Sequence, residues 1–335
     1  VLSLSAHDVR YFMSLLRGIS FSNRASVLIT SEGMVMSVEE ARSVLATAWI
    51  FADVFDDYAY TPPTRTAPSQ TPSSSLSQSQ FDANTEIEIT INSLIEALNI
   101  FGSASGSGGG RTTRKWKYPG EEGDDGGDGD GERRGTGQAR IDGFLGNSKE
   151  TGMRMIAEEK KGPMARCEIT TFDAEPQVDI SLDLQNIVLK IIIKSSFLYE
   201  ALSDLDPSYD KLTFIANPVE SSRNGPNGRV IRTASSKAVF SLHAAGAFVS
   251  SEMEYPNDKE VLEEFHCNEP VKFSYRFAHL HHMLRALQNS SRTSLRIDSQ
   301  GILSMQALVP PHKRGARDCY IDFLVRFSLT VHFAI

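Results

Sequence analysis

A strand-then-helix unit occurs twice in this chain at one fixed offset, and that repeat constrains the fold more than any other feature. One copy is TEIEITINSLIEALNIFG (85–102) and the other VKFSYRFAHLHHMLRALQ (271–288). Ile91 aligns with Phe277, Leu94 with Leu280 and Leu98 with Leu284, an offset of 186. An earlier pair of helical segments, AHDVRYFMSLLRGI (6–19) and SSFLYEALSDL (195–205), repeats at the same offset: Phe12 with Leu198, Leu16 with Leu202, Ile19 with Leu205. Solenoid units recur every ~20 to 50 residues, so this period belongs to something larger. It predicts two copies of one domain and points to a scaffold more than to a catalyst.

Length and charge fit that reading. The 335 residues hold enough apolar side chains (40%) for two cores. A formal net charge of −8 argues against a protein that coats nucleic acid over its whole surface, but leaves room for a local basic stripe. Cys167, Cys267 and Cys319 are far apart and form no CxxC pair, so a reducing compartment is expected, with neither a disulfide framework nor a structural zinc. No apolar run is long enough for a membrane span, and no signal peptide is expected.

Along the chain, VLSLS (1–5) reads as a short edge or closing strand. The first helix carries Val9, Phe12, Leu16 and Ile19 at spacings of three and four, with Arg10, Ser14 and Arg17 opposite and Gly18 as a stop signal. ASVLIT, GMVMSV and the longer ATAWIFADVFDDYAY (46–60) read as three strands. Two polar or glycine-rich stretches, at 61–80 and 103–150, cannot bury enough apolar surface to order themselves and are expected to be disordered insertions, and 218–236 is a further polar insertion. Gly102 is a plausible cap for the second helix. MRMIAEE and MARCEITTF form an expected hairpin around Lys160-Lys161-Gly162-Pro163, and the Pro-containing 172–186 stretch is an extended connector. The second copy then runs through NIVLKIIIK, SSFLYEALSDLD, YDKLTFIANP, KAVFSLHAAGAFV, SSEMEY, VKFSYRF, the helix AHLHHMLRALQN, SRTSLRID, GILSMQALVP and CYIDFLV. The order is α+β rather than a strict strand–helix alternation. Domain bounds of 1–171 and 187–325 follow, with an atypical apolar tail at 326–335.

If the apolar stripes of the four helices face the strands, their polar faces share one surface. Arg10 and Arg17 lie on the first helix, Lys194 at the start of the third, and His281, His282 and Arg285 on the last; the second offers only Asn92, Glu96 and Asn99. Basic residues gathered on one face of an acidic chain point to phosphate contact, against the plainer reading of a solvated helix face.

Catalytic and metal patterns are weak. His279 and His282 are three apart, but no nearby Cys or carboxylate completes a ligand set. His266 and Cys267 are adjacent on an extended segment and so point to opposite faces. Asp53, Asp56 and Asp57 resemble a two-metal nuclease cluster only loosely, and a charged strand edge is the simpler role. GSGGGRTT (106–113) lacks the Lys-Ser/Thr ending of a phosphate loop.

Several stretches carry a family resemblance: FMSLLRGISF (12–21), SLIEALNIFG (93–102), ARCEITTFDAEP (165–176), FLYEALSDLD (197–206), the SQGILSMQ hairpin and above all EYPNDKEVLEEFHCNE (254–269). In family order and across nearly all of the non-insertion sequence, the chain resembles the Rad-one (Rec-one) checkpoint clamp family, the middle subunit of the heterotrimeric nine-one-one clamp. The resemblance implies a DNA clamp fold like that of proliferating cell nuclear antigen, with two similar domains of antiparallel sheet and two helices each. It implies a nuclear protein without catalytic residues, cofactor or metal, which takes no small-molecule substrate and binds no membrane. The implied partners are the two other clamp subunits, a checkpoint clamp loader and double-stranded DNA with recessed ends. Arg10, Arg17, Lys194, His282 and Arg285 map onto the implied inner wall. The glycine-acidic insertion and the apolar tail depart from the family pattern, and imply either a missing strand or unspliced sequence in the first case, and either an extended or covered last strand or a misannotated end in the second. A 3′–5′ exonuclease and a homotrimeric replication clamp stand as the rival readings.

Overall fold

The computed structural model describes residues 2–6, 9–62, 84–104, 138–144, 152–158, 165–218, 238–311 and 313–327. In chain order the first half contains β1 (Leu2–Ala6), α1 (Val9–Ile19), β2 (Arg24–Thr30), β3 (Gly33–Glu40), β4 (Val44–Phe51), β5 (Asp57–Tyr60), β6 (Thr85–Thr90), α2 (Ile91–Ala104), β7 (Gln138–Phe144), β8 (Gly152–Glu158) and β9 (Ala165–Phe172). The second half contains β10 (Ile187–Lys194), α3 (Ser195–Ser203), β11 (Lys211–Ala216), β12 (Phe240–Ala245), β13 (Ser250–Tyr255), β14 (Leu262–Cys267), β15 (Val271–Arg276), α4 (Phe277–His281), α5 (Leu284–Asn289), β16 (Arg292–Asp298), β17 (Leu303–Val309) and β18 (Cys319–Val325). The structure is mostly antiparallel sheet with few helices.

The strand order repeats. The second half forms β14-β10-β16-β17-β18 and β13-β12-β11-β15; the first half forms β5-β1-β7-β8-β9 and β4-β3-β2-β6. Each second-half strand is nine places after its first-half counterpart. The register repeats too. Ser26 stands opposite Glu88 in β2–β6, and Thr213 opposite Ser274 in β11–β15, with Glu88 and Ser274 separated by the sequence offset. The two halves are stitched by one ladder, β4 against β18, from Val44↔Val325 to Trp49↔Tyr320. Both ladder ends are sealed by side chains: Val44 and Val325 are fully buried, and the Trp49 and Tyr320 rings stack at 5.7 Å.

Alternation explains which strand residues face inward. In β4, Val44, Ala46, Ala48 and Ile50 are buried while the residues between them are not. The helices then cover the inward faces. Phe12, Leu16 and Ile19 of α1 are buried as the stripe requires, but so are Tyr11, Met13 and Leu15, because α1 is flanked by α2 on one side and α5 on the other. Gly18 is buried in the last turn of α1, which ends one residue later at Ile19. A Cβ there would run into the Cδ1 tip of Ile321 in β18, while Ala286 of α5 lies at ordinary packing distance.

Other expectations need correction. The 46–60 stretch is two strands broken by a 3-10 turn at Ala52–Val54, so Asp53 does not lie on a strand edge. β7 lies within the expected 103–150 insertion and is fully laddered, pairing with β1 (Leu4↔Ile141) and β8 (Ile141↔Met155), so no strand is missing there. α2 runs past Gly102 to Ala104. The last helix is two, α4 and α5; Phe277, Leu280 and Leu287 are buried as the stripe requires, but Met283 is buried where Leu284 is only half-buried. Residues 246–249 leave β12 and form a loop before β13. The hairpin expected from 153–171 is present as β8 and β9. The rest of the 103–150 insertion and nearly all of 61–80, 218–236 and the 328–335 tail lie outside the described residues.

Residues 173–183 carry no regular structure, as the connector reading expects, and are tied down by named contacts. Arg24 lies 2.8 Å from the Glu88 carboxylate and 3.5 Å from Glu175, with its guanidinium over the Phe172 ring. Val178 N–H donates to Glu39 Oε2, Arg326 donates to the Asp179 carbonyl, and Asp183 N–H donates to the buried Asp298. Ile180 is the connector's buried anchor.

Candidate nucleic-acid interface

The helices form a row, α2, α1, α5, α3, in which each packs on its neighbour. Their apolar faces lie on the sheets, α1 against β4 and β18, α2 against β6 and β9, α3 against β10, α5 against β17. What remains outward is set by helical period: Arg10 and Arg17 on α1, Asn92, Glu96 and Asn99 on α2, Glu200 on α3, His281, Arg285 and Gln288 on α4 and α5.

The outward cations are positioned rather than loose. Arg17 Nη2 donates to Asn99 Oδ1 at 2.5 Å, bridging α1 and α2. Arg285 Nη1 donates to Ser20 Oγ at 3.4 Å, bridging α5 to the end of α1. Between α1, α3 and α5 an open groove of about 520 Å³ is lined by Arg17, Ser20, Tyr199, His281 and Arg285, with Phe21 in its wall. Lys194 is exposed at the N-cap of α3 in extended backbone (φ −62°, ψ 130°).

His282 behaves differently from the others. Its ring stacks on Phe21 with centroids 4.7 Å apart, and its Nε2 lies 2.9 Å from Glu40 Oε2 at the end of β3. Burial holds its pKa below the ordinary histidine value, with Glu40 pulling the other way. The side chain is half-buried and engaged with the first half of the chain. It lines the same groove as Arg17 and Arg285, with its ring edge turned toward Glu40. His279, named with it as a possible ligand, is buried, and burial lowers its pKa as well.

One cation escaped the sequence reading. Arg276 ends β15, is exposed, and caps α4 with the same backbone as Lys194 (φ −63°, ψ 127°). Both strand-to-helix junctions of the second half therefore present a cation beside a helix N-terminus. The alternation Lys272, Ser274, Arg276 on the strand is the signal that pointed outward.

The three aspartates have separate occupations. Asp53 Oδ2 accepts from Arg317 Nε at 3.0 Å, Asp56 lies 3.9 Å from Lys313 Nζ, and Asp57 accepts from Ser5 Oγ at 3.0 Å. Among the described residues no group of three or more His, Cys, Asp and Glu stands together as a metal site. No helix among them is long and apolar enough to cross a membrane.

Residues 1–309 match the family described as repair protein Rad1/Rec1/Rad17. The chain belongs to this family. It is 30% identical to the DNA damage checkpoint control protein rad1 of Schizosaccharomyces pombe, over 90% of this chain and 79% of that protein. It is 25% identical to the cell cycle checkpoint protein RAD1 of Homo sapiens, over 95% of this chain and 89% of that one. It is also 24% identical to the DNA repair exonuclease REC1 of Mycosarcoma maydis, over 94% and 89%. Membership in the Rad1/Rec1/Rad17 family thus brings names of two kinds, checkpoint proteins and one exonuclease.

Proposed function

We propose that this chain is a non-catalytic subunit of a heterotrimeric DNA-damage checkpoint clamp, built as two similar domains, 1–171 and 187–325, that together supply one third of a ring. What supports the reading is the single row α2-α1-α5-α3, which leaves Arg10, Arg17 and Arg285 exposed on its helices. The reading assigns Lys194, exposed at the start of α3, and the half-buried His282 to the same DNA-facing set. Function here follows from topology. A ring around duplex DNA holds it without reading sequence, because cations contact phosphates and the bases are left unread. In this reading the chain's net charge of −8 keeps the duplex off the rest of the surface. A clamp loader, recessed DNA ends and residence in the nucleus belong to the same reading.

The deciding experiment is native mass of the purified chain, alone and with candidate partner subunits, followed by retention on circular nicked DNA. A chain that stays monomeric until two different partners arrive supports the heterotrimer. A stable homotrimer overturns it in favour of a replication-type clamp.

The printed name of the Mycosarcoma maydis relative keeps an exonuclease reading open. The engagement of Asp53 with Arg317 and of Asp57 with Ser5 speaks for a structural role for these carboxylates. Magnesium-dependent degradation of DNA that is lost on Asp53→Asn or Asp57→Asn would establish the exonuclease instead.

A further inference from the structure

The β4–β18 ladder ends at Trp49↔Tyr320, but the two halves of the chain keep touching beyond it. The loop 310–318 leads from β17 to β18 after their last rung, Val309↔Cys319. Its sequence, PPHKRGARD, carries the cations Lys313, Arg314 and Arg317. Two prolines end β17, and Gly315, at φ +85°, turns the chain back. The turn lays Lys313 and Arg317 on the first half, against the corner between β4 and β5 that contains the 3-10 turn Ala52–Val54.

Arg317 directs two bonds at one atom of that corner. Its backbone N–H and its Nε both donate to Asp53 Oδ2, at 3.2 and 3.0 Å. The same guanidinium lies over the Phe51 ring, 4.2 Å from its centre. Lys313 Nζ donates to the Phe55 carbonyl at 2.5 Å and lies 3.9 Å from the Asp56 carboxylate. The root of the loop is held from the same half, where the Tyr11 hydroxyl of α1 donates to the Val309 carbonyl at 2.7 Å.

One exposed ion pair contributes little to a fold, because water and salt screen it. This set differs from a lone pair. Charge-assisted bonds reach the carboxylate from two groups fixed on one residue, and the cation also rests on an aromatic face. Asp53 Oδ1 is buried with no hydrogen-bond partner among the described residues. The carboxylate thus gives up water on one side and is compensated by Arg317 on the other, so its position depends on that cation.

We propose that the loop 310–318 is an electrostatic clasp, which locks the second half of the chain onto the 51–57 corner of the first. Charge then fixes the angle between the halves along with the ladder. The far end of the ladder is fastened by backbone, Arg326 N–H to the Ser43 carbonyl at 2.9 Å, so the clasp end is where the halves part first when salt rises or a partner is lost. The clasp joins two parts of one chain and stands whether or not that chain belongs to a ring.

Amide hydrogen exchange of the full chain, read by mass spectrometry over 313–318 and 52–57, tests this. In the wild type the two segments open together, and both exchange faster as salt rises from about 0.05 M to about 1 M, where the screening length is about 3 Å. Arg317→Ala speeds exchange of both segments at low salt by at least about fivefold and removes most of the salt dependence, while β10 and β16 keep wild-type rates. Adding Asp53→Ala to that variant brings no further increase, because both substitutions break the same contact. Arg317→Lys keeps the cation and retains a salt-dependent protection. Wild-type protection of 52–57 in Arg317→Ala overturns the inference, and so do effects that add in full in the double variant or wild-type exchange indifferent to salt. Lys313→Gln, at an exposed position, repeats the measurement should Arg317→Ala also loosen β10 and β16, and unchanged exchange of 52–57 in it is equally an overturning result.

Discussion

Val44 and Val325 stand directly opposite each other across the β4–β18 ladder, and neither is exposed. This pair is where the first half of the chain meets the second. The joint is an ordinary continuation of a sheet, so its stability should respond as a protein core does.

Val44→Ala removes about two buried carbons and is expected to lower stability by about 1–2 kcal/mol. Val325→Asp places an unpaired carboxylate in the same spot and is expected to cost about 3 kcal/mol or more. Urea midpoints measured by tryptophan fluorescence check both, since Trp49 lies at the far end of this ladder. Equal midpoints for wild type and Val325→Asp would mean that the joint contributes nothing to folding.

Arg17 and Arg285 reach the same groove from α1 and α5. Charge reversal of both, Arg17→Glu with Arg285→Glu, is expected to leave assembly unchanged and to weaken duplex retention. If each contacts one phosphate, the slope of log affinity against log salt falls by about 2. Unchanged retention over a salt series would remove these residues from the DNA-facing surface.

Gly301 has φ +78°, and a Cβ there would sit 2.7 Å from the Phe273 ring. Its carbonyl accepts the buried Tyr275 hydroxyl at 3.0 Å. Gly301→Ala combines backbone strain with a clash and is expected to destabilise by about 1–3 kcal/mol. Chemical denaturation of the variant measures this directly, and a loss below about 0.5 kcal/mol would show that the loop relaxes freely.

His279 and His282 both have pKa values depressed by burial, with Glu40 opposing. In the unfolded chain both titrate near the ordinary histidine value of 6.5. Below that pH the unfolded state binds more protons than the folded one, so the stability these residues contribute is present above it and declines as pH falls through the folded values. Denaturation midpoints should therefore drop from pH 7.5 to pH 5.5, and a His279→Gln/His282→Gln variant should show a shallower drop. An identical pH dependence in the variant would assign the effect to other groups.

Some of the structure was legible in the residues themselves. The stripes Phe12–Leu16–Ile19 and Ile91–Leu94–Leu98 are buried as their spacing required, and the offset at Glu88 and Ser274 survives as identical strand register. Arg10 and Arg17 are outward because they oppose the first of those stripes. By contrast, QARIDGF in β7 has too little local pattern between glycine-rich flanks, and only the ladders offered by β1 and β8 fix it as a strand. Gly18 reads locally as a helix end and α1 does stop at Ile19, but its packing beside Ala286 and Ile321, more than 260 residues away in sequence, is not part of that local signal.

Sequence by itself determined which face of each element is apolar and that the pattern occurs twice, because periodicity is a property of neighbouring residues. Tertiary structure alone decided which element covers which face. Val44 opens β4, and only β18, from the far end of the chain, buries it. His282 and Arg285 lie one turn apart and line the same groove, but Glu40 and Phe21 hold the first half-buried while the second stays exposed. The physical reason is that burial and charge pairing depend on distant partners, whose arrival no local spacing encodes.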